Sequence, residues 1–410
     1  MRSATIRRIE LSLGRILCAT LTAARRARDF IDSGQKGPPQ RILFLKLIEQ
    51  GATVLACDAI RLAAERVGAH NIYFCVFAEN RWILDVLDVL PAANILPIRS
   101  ERFSWFVVDV LRMLARVRRA RIDAVVDMEF FARATAIMAF LSGARVRAGL
   151  HRFSAEAPYR GDLFTHRVQH NPYLHVSQSY RLLVEALWAD ASDAPLLKAR
   201  PAPTPVLPAF VPSEDERARV RAKLEEAAGM RLRGPLVLLN ANVDDKLPLR
   251  RWPAERFVEL GRRLLAERPD VILGLTGAAS EQAAIETMRD HIGSRAACLA
   301  GRTTLREVLV LYTLADVLVT NDCGPGHFAS LTDVDSIVLF GPETPLVFGP
   351  LGPHSQAVTA GLACSPCMNV YNHRFSPCVH NACMHAISVD EVISRVHAAL
   401  AARAAKRAAP

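Results

Sequence analysis

Short apolar runs alternate with amphipathic stretches along most of the chain. In the first half, residues 41–47, 71–77 and 122–128 have the length and the branched apolar content of buried strands. Helical periodicity follows at residues 53–67 and 132–141. Strands that alternate with helices in this way predict an α/β protein with parallel sheets covered on both faces.

The alternation stops at residues 201–213, where five prolines exclude any regular element. It then resumes in the second half. The predicted strands there are 235–241, 270–276, 317–320 and 336–340, and the predicted helices are 213–228, 254–268, 280–292 and 327–331. Two doubly wound halves of similar size predict two Rossmann-like domains facing a cleft. We place them at residues 41–200 and 214–410, with 201–213 as a Pro-rich linker.

Residues 1–40 form a separate basic amphipathic segment. Apolar residues recur at helical spacing between residues 5 and 28, with arginines between and after them. Glu10 and Arg15 interrupt what would be the apolar region of a signal peptide. Two interpretations stay open: a helix lying on an anionic membrane surface, and a helix packed on the protein itself.

The composition describes a folded protein that favours anionic partners. Hydrophobic residues make up 51% and charged residues 22%, which excludes global disorder. The formal net charge of +10 suits nucleotide phosphates, phosphorylated sugars or anionic lipid. The charge is spread along the chain and no nucleic-acid recognition motif is present, so no nucleic-acid partner is expected.

A glycine-rich loop carries the first candidate chemistry. Residues 321–327 read Asn-Asp-Cys-Gly-Pro-Gly-His, after a predicted strand and before a predicted helix. Backbone N–H groups at such a junction form a cradle for a diphosphate. Taken by itself, the same pattern also suits a plain turn between strand and helix.

Four cysteines near the C-terminus form the second constellation. Cys364, Cys367, Cys378 and Cys383 give a C-x2-C pair followed by two further thiols. Because no secretion signal is visible, metal ligation or free thiols are favoured over disulfides. The spacing suits a structural zinc site, with His373 as one of the additional candidate ligands.

The glycine loop and the Phe-Gly-Pro-Glu-Thr-Pro segment at 340–345 together resemble a known signature. Glycosyltransferase family 9, the ADP-heptose:lipopolysaccharide heptosyltransferases, carries Asp-(Ser/Thr)-Gly-x-x-His followed by a Phe-Gly-Pro-Thr-x-Pro-type loop. Further segments resemble the family in the same order, at 41–56, 123–149, 165–175, 240–257 and 299–311. The resemblance covers roughly residues 41–400 and implies a GT-B fold.

The resemblance also implies the function. It predicts an inverting glycosyltransferase that moves a sugar, heptose by family default, from a nucleotide-sugar such as ADP-heptose to a glycan or lipid-linked glycan acceptor, as in lipopolysaccharide biosynthesis. It implies no cofactor for catalysis, so that the only expected metal is the structural zinc. The implied location is the cytoplasm, with residues 5–28 as the candidate peripheral contact to the inner face of the cytoplasmic membrane.

Carried over to matching positions, the family's donor-binding residues fall in the second half. They are Asn242, Lys246, Glu281, Asp322, Cys323, Gly324 and His327. Lys246 is also a catalytic candidate, because a cation neutralises the leaving diphosphate. The loop is longer than usual, so Arg250 or Arg251 is an alternative source of that cation.

One departure concerns the base that deprotonates the acceptor. The family has Gly-Asp after the first strand, whereas this chain has Gly51-Ala52. Glu49, three residues upstream of Ala52, is the candidate replacement. Asp58, Asp127 and Glu129 are further carboxylates within reach, and Lys46, Gly51 and Arg133 are the candidate acceptor-binding residues. The alternative function is a nucleotide-sugar-binding protein that has lost its base.

Overall fold

The structure is a computed structural model that describes residues 3–31, 37–153, 158–241, 247–372 and 374–408. The chain divides into two compact units. The first unit contains Met1–Pro205 together with Val370–Arg374, and the second contains Val206–Asn369 together with Phe375–Pro410. Residues 201–213 contain no helix or strand.

The first unit is built on a parallel sheet. Its strands are β1 (Ile42–Leu45), β2 (Ile72–Phe77), β3 (Ile95–Ile98), β4 (Ala124–Asp127), β5 (Val146–His151) and β6 (His166–Gln169). Its α-helices are α1 (Ser3–Ile31), α2 (Gln50–Leu55), α3 (Cys57–Val67), α4 (Trp82–Leu87), α5 (Phe103–Arg119), α6 (Arg133–Leu141) and α7 (Val176–Glu185). The strand order β3-β2-β1-β4-β5-β6 is the doubly wound order of a Rossmann-like domain.

One hydrophobic cluster joins α1, α5 and α6 to the same face of this sheet. Leu43 and Val125 project from the paired strands β1 and β4 into this cluster. Helix α5 contributes Met113, Leu114 and Val117, α6 contributes Ala136, Met138 and Ala139, and α1 contributes Cys18. These three helices therefore form one layer over the sheet.

Helix α1 packs on the first unit through a face of small residues. Gly14 allows close approach, because a Cβ atom there would lie 3.0 Å from the Cδ atom of Arg133. Cys18 and Thr22 are buried, and the Thr22 hydroxyl accepts a hydrogen bond from the Asp162 backbone N–H at 2.8 Å. The structure thus shows packing on the protein itself, whereas membrane contact through residues 5–28 stays a prediction. No helix within the described ranges is both long enough and apolar enough to cross a bilayer.

The second unit repeats the same topology. Its strands are β7 (Leu236–Asn240), β8 (Ile272–Leu275), β9 (Ala296–Cys298), β10 (Val317–Asn321), β11 (Asp335–Phe340) and β12 (Ser355–Thr359). Its α-helices are α8 (Glu214–Ala228), α9 (Ala254–Glu267), α10 (Gln282–Ile292), α11 (Leu305–Leu314), α12 (Gly324–Ala329), α13 (Pro345–Phe348), α14 (Ala382–His385) and α15 (Val389–Ala408). The parallel order β9-β8-β7-β10-β11-β12 places the topological switch point between β7 and β10.

Local sequence explains where several of these elements begin. Ser213 caps α8 and Thr304 caps α11, each in a reciprocal capping box with the glutamate three residues later. Trp252 is fully buried in the core of the second unit, and its indole N–H donates to the Ile387 carbonyl at 3.0 Å. This bond ties the loop before α9 to the segment before α15.

Candidate functional site

In the first unit, the carboxyl ends of β1 and β4 meet at the switch point and carry a buried ion pair. Lys46 directly follows β1, and its Nζ lies 3.0 Å from Glu129 Oε2. The other Glu129 oxygen accepts hydrogen bonds from the backbone N–H groups of Leu47 at 2.7 Å and Ile48 at 3.0 Å. Burial lowers the pKa of Lys46, and the Glu129 carboxylate opposes this effect. Glu129 therefore fixes the path of the loop that follows β1.

Glu49 lies in that loop, between two cations. Its backbone has φ 68°, in the left-handed region that costs a non-glycine residue energy. Its side chain is 30% exposed and forms an ion pair with Arg374, which the segment Val370–Arg374 contributes to the first unit. Lys46 Nζ lies 4.0 Å from Glu49 Oε2. Burial lowers the pKa of Arg374 to about 10, so its guanidinium is still charged near neutral pH.

The other carboxylates considered as bases are held by ion pairs and hydrogen bonds within the first unit. Asp127 is fully buried, 2.6 Å from Arg160 Nη1, and accepts a hydrogen bond from the Glu129 backbone N–H. Burial raises the pKa of Asp127 to about 6, with Arg160 opposing the shift. Asp58 on α3 pairs with Arg181 at 2.9 Å. Glu49 differs from them in lying in the loop directly after β1, although its side chain is about as exposed as that of Asp58, 30% against 27%.

The remaining predicted acceptor residues lie in the scaffold of the first unit. Gly51 is buried in the first turn of α2. Arg133 is 2% exposed, and its Nε donates to the Tyr159 carbonyl at 2.8 Å. Like Lys46, it is a buried cation with a polar contact inside the unit. Acceptor binding by these three residues stays a prediction.

A basic cavity of about 260 Å³ lies in the same unit, between α1 and the end of β5. It is lined by Arg26, Arg152, Arg160 and Arg167, with Asp162 as the acid among the described lining residues. Burial lowers the pKa of His151, another lining residue, to about 4, so this imidazole is neutral at physiological pH. Arg160 is paired with Asp127, so three further guanidinium groups stand against the Asp162 carboxylate, and the cavity is suitable for an anionic group.

In the second unit, three adjacent strand ends converge on one buried guanidinium. Arg250 lies in the loop after β7, Asp322 follows β10, and Glu343 lies in the loop after β11. Arg250 Nη2 is 2.6 Å from Glu343 Oε1, and Arg250 Nε is 3.4 Å from Asp322 Oδ2. All three residues are less than 9% exposed. This charge cluster therefore links the loops on both sides of the switch point.

Two carboxylates share the Arg250 guanidinium in this cluster, and burial governs their titration. Burial raises the pKa of Glu343 to about 7; Arg250 opposes the shift and Asp322 adds to it. Burial likewise raises the pKa of Asp322. Arg250, the alternative to Lys246 as the donor-facing cation, thus has two internal counter-ions. The predicted donor role of Asp322 stays a prediction.

Hydrogen bonds of the Asn321 side chain hold the glycine-rich loop in place. Asn321 accepts a hydrogen bond from the Trp252 backbone N–H at 2.9 Å and donates to the Ala241 carbonyl at 2.8 Å. Cys323 precedes α12, and burial raises its pKa to about 12, which keeps it a neutral thiol. Gly324 opens α12, and the half-buried His327 lies within it. The structure therefore gathers Asp322, Cys323, Gly324 and His327 at the end of β10.

Glu281 is the predicted nucleoside contact. It lies in a short turn before α10, where its Oε2 accepts a hydrogen bond from the Ala278 backbone N–H at 2.6 Å. It is near enough to Cys323 to raise that thiol's pKa. Asn242 and Lys246, the two predicted phosphate contacts, lie outside the described residues. Their roles stay predictions.

The four C-terminal cysteines differ in exposure. Cys364 and Cys378 are exposed, Cys367 is half-buried, and Cys383 is buried in α14. Within the described ranges, which leave out His373, no group of three or more His, Cys, Asp or Glu side chains is placed to hold a metal ion. Metal binding by these four thiols therefore stays a prediction.

Three charged residues of these clusters were not found from the sequence. Arg160 and Arg374 pair with Asp127 and Glu49 from distant parts of the chain, and no local pattern marks them. Glu343 had a visible signal, because it stands where the family signature has Thr. The departure from the family signature at Glu343 was thus a visible sign of this buried charge.

Solved structures with the same architecture define the class of fold. The structure of Escherichia coli ADP-heptose lipopolysaccharide heptosyltransferase II matches with a TM-score of 0.67 and 18% identity, covering 88% of this chain and 99% of that one. E. coli heptosyltransferase WaaC with ADP matches with a TM-score of 0.61 and 16% identity, over 88% and 99% of the two chains. The iron-containing dodecameric glycosyltransferase TibC from enterotoxigenic E. coli matches with a TM-score of 0.51 and 13% identity, over 90% and 79%. These likenesses confirm the predicted GT-B fold of two Rossmann-like domains.

Sequence comparison gives the family. The model of glycosyltransferase family 9 (heptosyltransferase) matches residues 110–375, more than half of the chain. The chain belongs to this family, as its motifs predicted. Lipopolysaccharide heptosyltransferase 2 of Salmonella typhimurium is 31% identical over 115 residues, and lipooligosaccharide heptosyltransferase 2 of Campylobacter jejuni is 24% identical over 149 residues. These alignments span 27% and 36% of this chain, and only 32% and 45% of the relatives' own lengths.

Proposed function

We propose that the protein is an inverting glycosyltransferase that transfers a sugar from a nucleotide-sugar to a glycan or lipid-linked glycan acceptor, in the synthesis of lipopolysaccharide core or a related surface glycan. The observation that carries the proposal is the glycine-rich loop at residues 321–327. In a chain of glycosyltransferase family 9, this loop lies at the carboxyl end of β10, at the switch point where doubly wound sheets bind ligands.

In the proposed reaction, Glu49 accepts the proton of the acceptor hydroxyl. The oxygen so activated attacks the anomeric carbon of the donor sugar and forms the new C–O bond. The bond from that carbon to the diphosphate breaks, and the nucleotide leaves with the electron pair. Lys246 and the backbone N–H groups of the loop at 322–327 stabilise the charge on the leaving diphosphate. Transfer by this route uses side chains and backbone dipoles and requires no metal ion.

The donor proposed by default is ADP-heptose. A solved relative of the same fold is heptosyltransferase WaaC with ADP, and a further WaaC structure holds ADP-2-deoxy-2-fluoro heptose. On the acceptor side, the four arginines of the basic cavity suit a phosphate or carboxylate carried by the acceptor. We therefore propose an anionic acceptor.

Glu49 decides between this function and the alternative of a donor-binding protein without turnover. Ala52 stands where the family has its base, which supports the alternative. The position of Glu49 supports the enzyme, because its carboxylate follows β1, is partly exposed and is flanked by Lys46 and Arg374. The two cations hold this carboxylate in place in the loop after β1.

The test compares wild type with Glu49→Gln, and with Glu65→Gln as a control at an exposed carboxylate on α3. Transfer is measured with ADP-heptose and other nucleotide-sugars, and ADP binding is measured by calorimetry. We expect Glu49→Gln to lower kcat by about 10² or more while the Kd for ADP stays unchanged. Equal turnover in Glu49→Gln would remove Glu49 from this role. Saturable donor binding without turnover by wild type would favour the binding protein.

We also propose that Cys364, Cys367, Cys378 and Cys383 hold a structural metal after rearrangement. Their C-x2-C pair and two further thiols suit tetrahedral thiolate ligation. One solved relative is described as iron-containing, so zinc and iron are both measured. Elemental analysis of the purified protein should give one metal per chain in wild type and none in Cys364→Ser/Cys367→Ser. A metal-free wild type with full activity would end this proposal.

A further inference from the structure

The segment Val370–Arg374 packs on the first unit through an aromatic ring. Val370 is buried, and the Tyr371 ring contacts two rings of that unit. Its centre is 5.4 Å from the centre of the His170 imidazole and 5.9 Å from that of the Phe131 ring. The His170 and Phe131 rings lie edge to face with their centres 6.1 Å apart. These two residues therefore form an aromatic socket for Tyr371.

The aromatic socket is a fixed part of the first unit. Phe131 and His170 are both buried, in the loops that follow β4 and β6. Burial lowers the pKa of His170 to about 4, so its ring is neutral near pH 7 and packs against Tyr371 as an uncharged ring. The socket thus lies at the carboxyl edge of the first sheet, the edge at which the Glu49 loop leaves β1.

The same segment carries the cation that pairs with Glu49. The Arg374 guanidinium forms this ion pair, and its side chain is only 16% exposed. Burial is the main reason that the pKa of Lys46 is lowered, and the charge of Arg374 adds to that shift, so Arg374 acts on both charged groups of the loop after β1. Because only two residues separate Tyr371 from Arg374, the place of the ring limits where the guanidinium can lie.

Strained backbone marks the same place. Glu49, Phe131 and Arg374 have φ angles of 68°, 53° and 55°, in the left-handed region that costs a non-glycine residue energy. Such residues persist only where the surrounding structure holds them, and they concentrate at functional sites. Contacts join the three, because Phe131 packs on Tyr371 and Arg374 pairs with Glu49. The strain is therefore gathered around the proposed base.

We propose that Tyr371 is a positioning residue for sugar transfer. Its ring, seated in the aromatic socket, holds Arg374 in the ion pair with Glu49. The ion pair in turn keeps the Glu49 carboxylate in the place where it accepts the proton of the acceptor hydroxyl. The inference rests on the proposed function, since Tyr371 acts on the reaction through Arg374 and the proposed base. It deepens that function by naming the residue that keeps the base in place.

The test is a double-mutant cycle between Tyr371→Ala and Arg374→Gln, with kcat for transfer and the Kd for ADP as readouts. Each single variant should lower kcat by about tenfold and leave the Kd for ADP unchanged. The double variant should also be about tenfold slower than wild type, because both changes break the same linkage. Tyr371→Phe keeps the ring and should keep the wild-type kcat. Phe103→Ala removes a 55% exposed ring on α5 and serves as the control.

Two results would overturn the proposal. If Tyr371 only packs, Tyr371→Ala has a lower melting temperature, while its folded fraction keeps the wild-type kcat. If Tyr371 and Arg374 act independently, the double variant is about a hundredfold slower than wild type. Glu49→Gln, measured beside them, separates this inference from the proposed function. A slow Glu49→Gln with a fast Tyr371→Ala removes the positioning role alone, whereas a fast Glu49→Gln removes the proposed base and the positioning role together.

Discussion

The two sheets share one topology but end in different arrangements of charge. At the switch point of the first unit the charges are matched, Lys46 with Glu129 and Arg160 with Asp127. At the switch point of the second unit, Asp322 and Glu343 share the guanidinium of Arg250. At the first switch point each carboxylate has a cation of its own, although burial still raises the pKa of Asp127 to about 6. Burial raises the pKa of Glu343 in the second cluster to about 7, and the neighbouring Asp322 adds to the shift.

The largest effect on stability is expected when Arg250 is removed. Arg250→Met removes the guanidinium that the buried Asp322 and Glu343 share, and we expect the second unit to lose about 3–5 kcal/mol of stability. Trp252 is the tryptophan of that unit, so its fluorescence during urea unfolding reports the loss. Arg262→Met, at an exposed position of α9, is the control. Equal stability of the two variants would show that the cluster does not need its cation.

The equivalent change in the first unit should cost less. Lys46→Met removes the cation of Glu129, but that carboxylate keeps the N–H groups of Leu47 and Ile48. We expect a loss of about 2 kcal/mol, seen as faster hydrogen exchange in β1 and β4. A loss as large as that of Arg250→Met would show that the two clusters depend equally on their cations.

Protonation of Glu343 should change the affinity of the protein for ADP. Below about pH 7 Glu343 is protonated and releases part of its hold on Arg250, whereas above that pH it competes with an incoming diphosphate. We therefore expect wild type to bind ADP up to about tenfold more weakly at about pH 8 than at about pH 7, measured by calorimetry. In Glu343→Gln this dependence should be absent. Identical pH profiles of the two proteins would show that Glu343 does not titrate against the donor.

The smallest effect is expected at Arg374, which holds Glu49 from the far end of the sequence. Arg374→Gln should lower kcat by about tenfold, because the candidate base loses its fixed position, and should leave the Kd for ADP unchanged. Arg374→Lys should recover part of the rate. A purely structural role would instead lower the melting temperature of both variants without separating kcat from ADP binding.

The fold was predictable where strands are long and apolar, and less so where they are short. Residues 235–241 predicted β7, and 317–320 predicted β10 to within one residue. The buried β9 has only three residues, too few to show a pattern, and β12 lacks one because it is half exposed at the edge of the sheet. The predicted helix at 327–331 was misplaced, since α12 begins at Gly324, directly after Cys323. Proline at the start of a helix is compatible with the missing backbone donor there.

The candidate site was predictable only within continuous motifs. The loop at 321–327 was found because its glycines and its neighbours are adjacent in sequence. The partners Glu49 and Arg374 are separated by most of the chain, and only the tertiary fold brings them together. Buried counter-ions come from whichever element happens to pack nearby, so a single sequence does not specify them.

The segment Val370–Arg374 has a consequence for how the protein can be divided. Its five residues belong to the first unit although both flanks belong to the second, so the chain passes between the units at three places. A fragment that ends at Pro205 would lack Arg374 and, with it, the ion-pair partner of Glu49. Chimeras that exchange halves between family members at the Pro-rich linker would likewise combine one protein's loop with another protein's Glu49. The two parts of the sequence on either side of the Pro-rich linker therefore do not coincide with the two structural units.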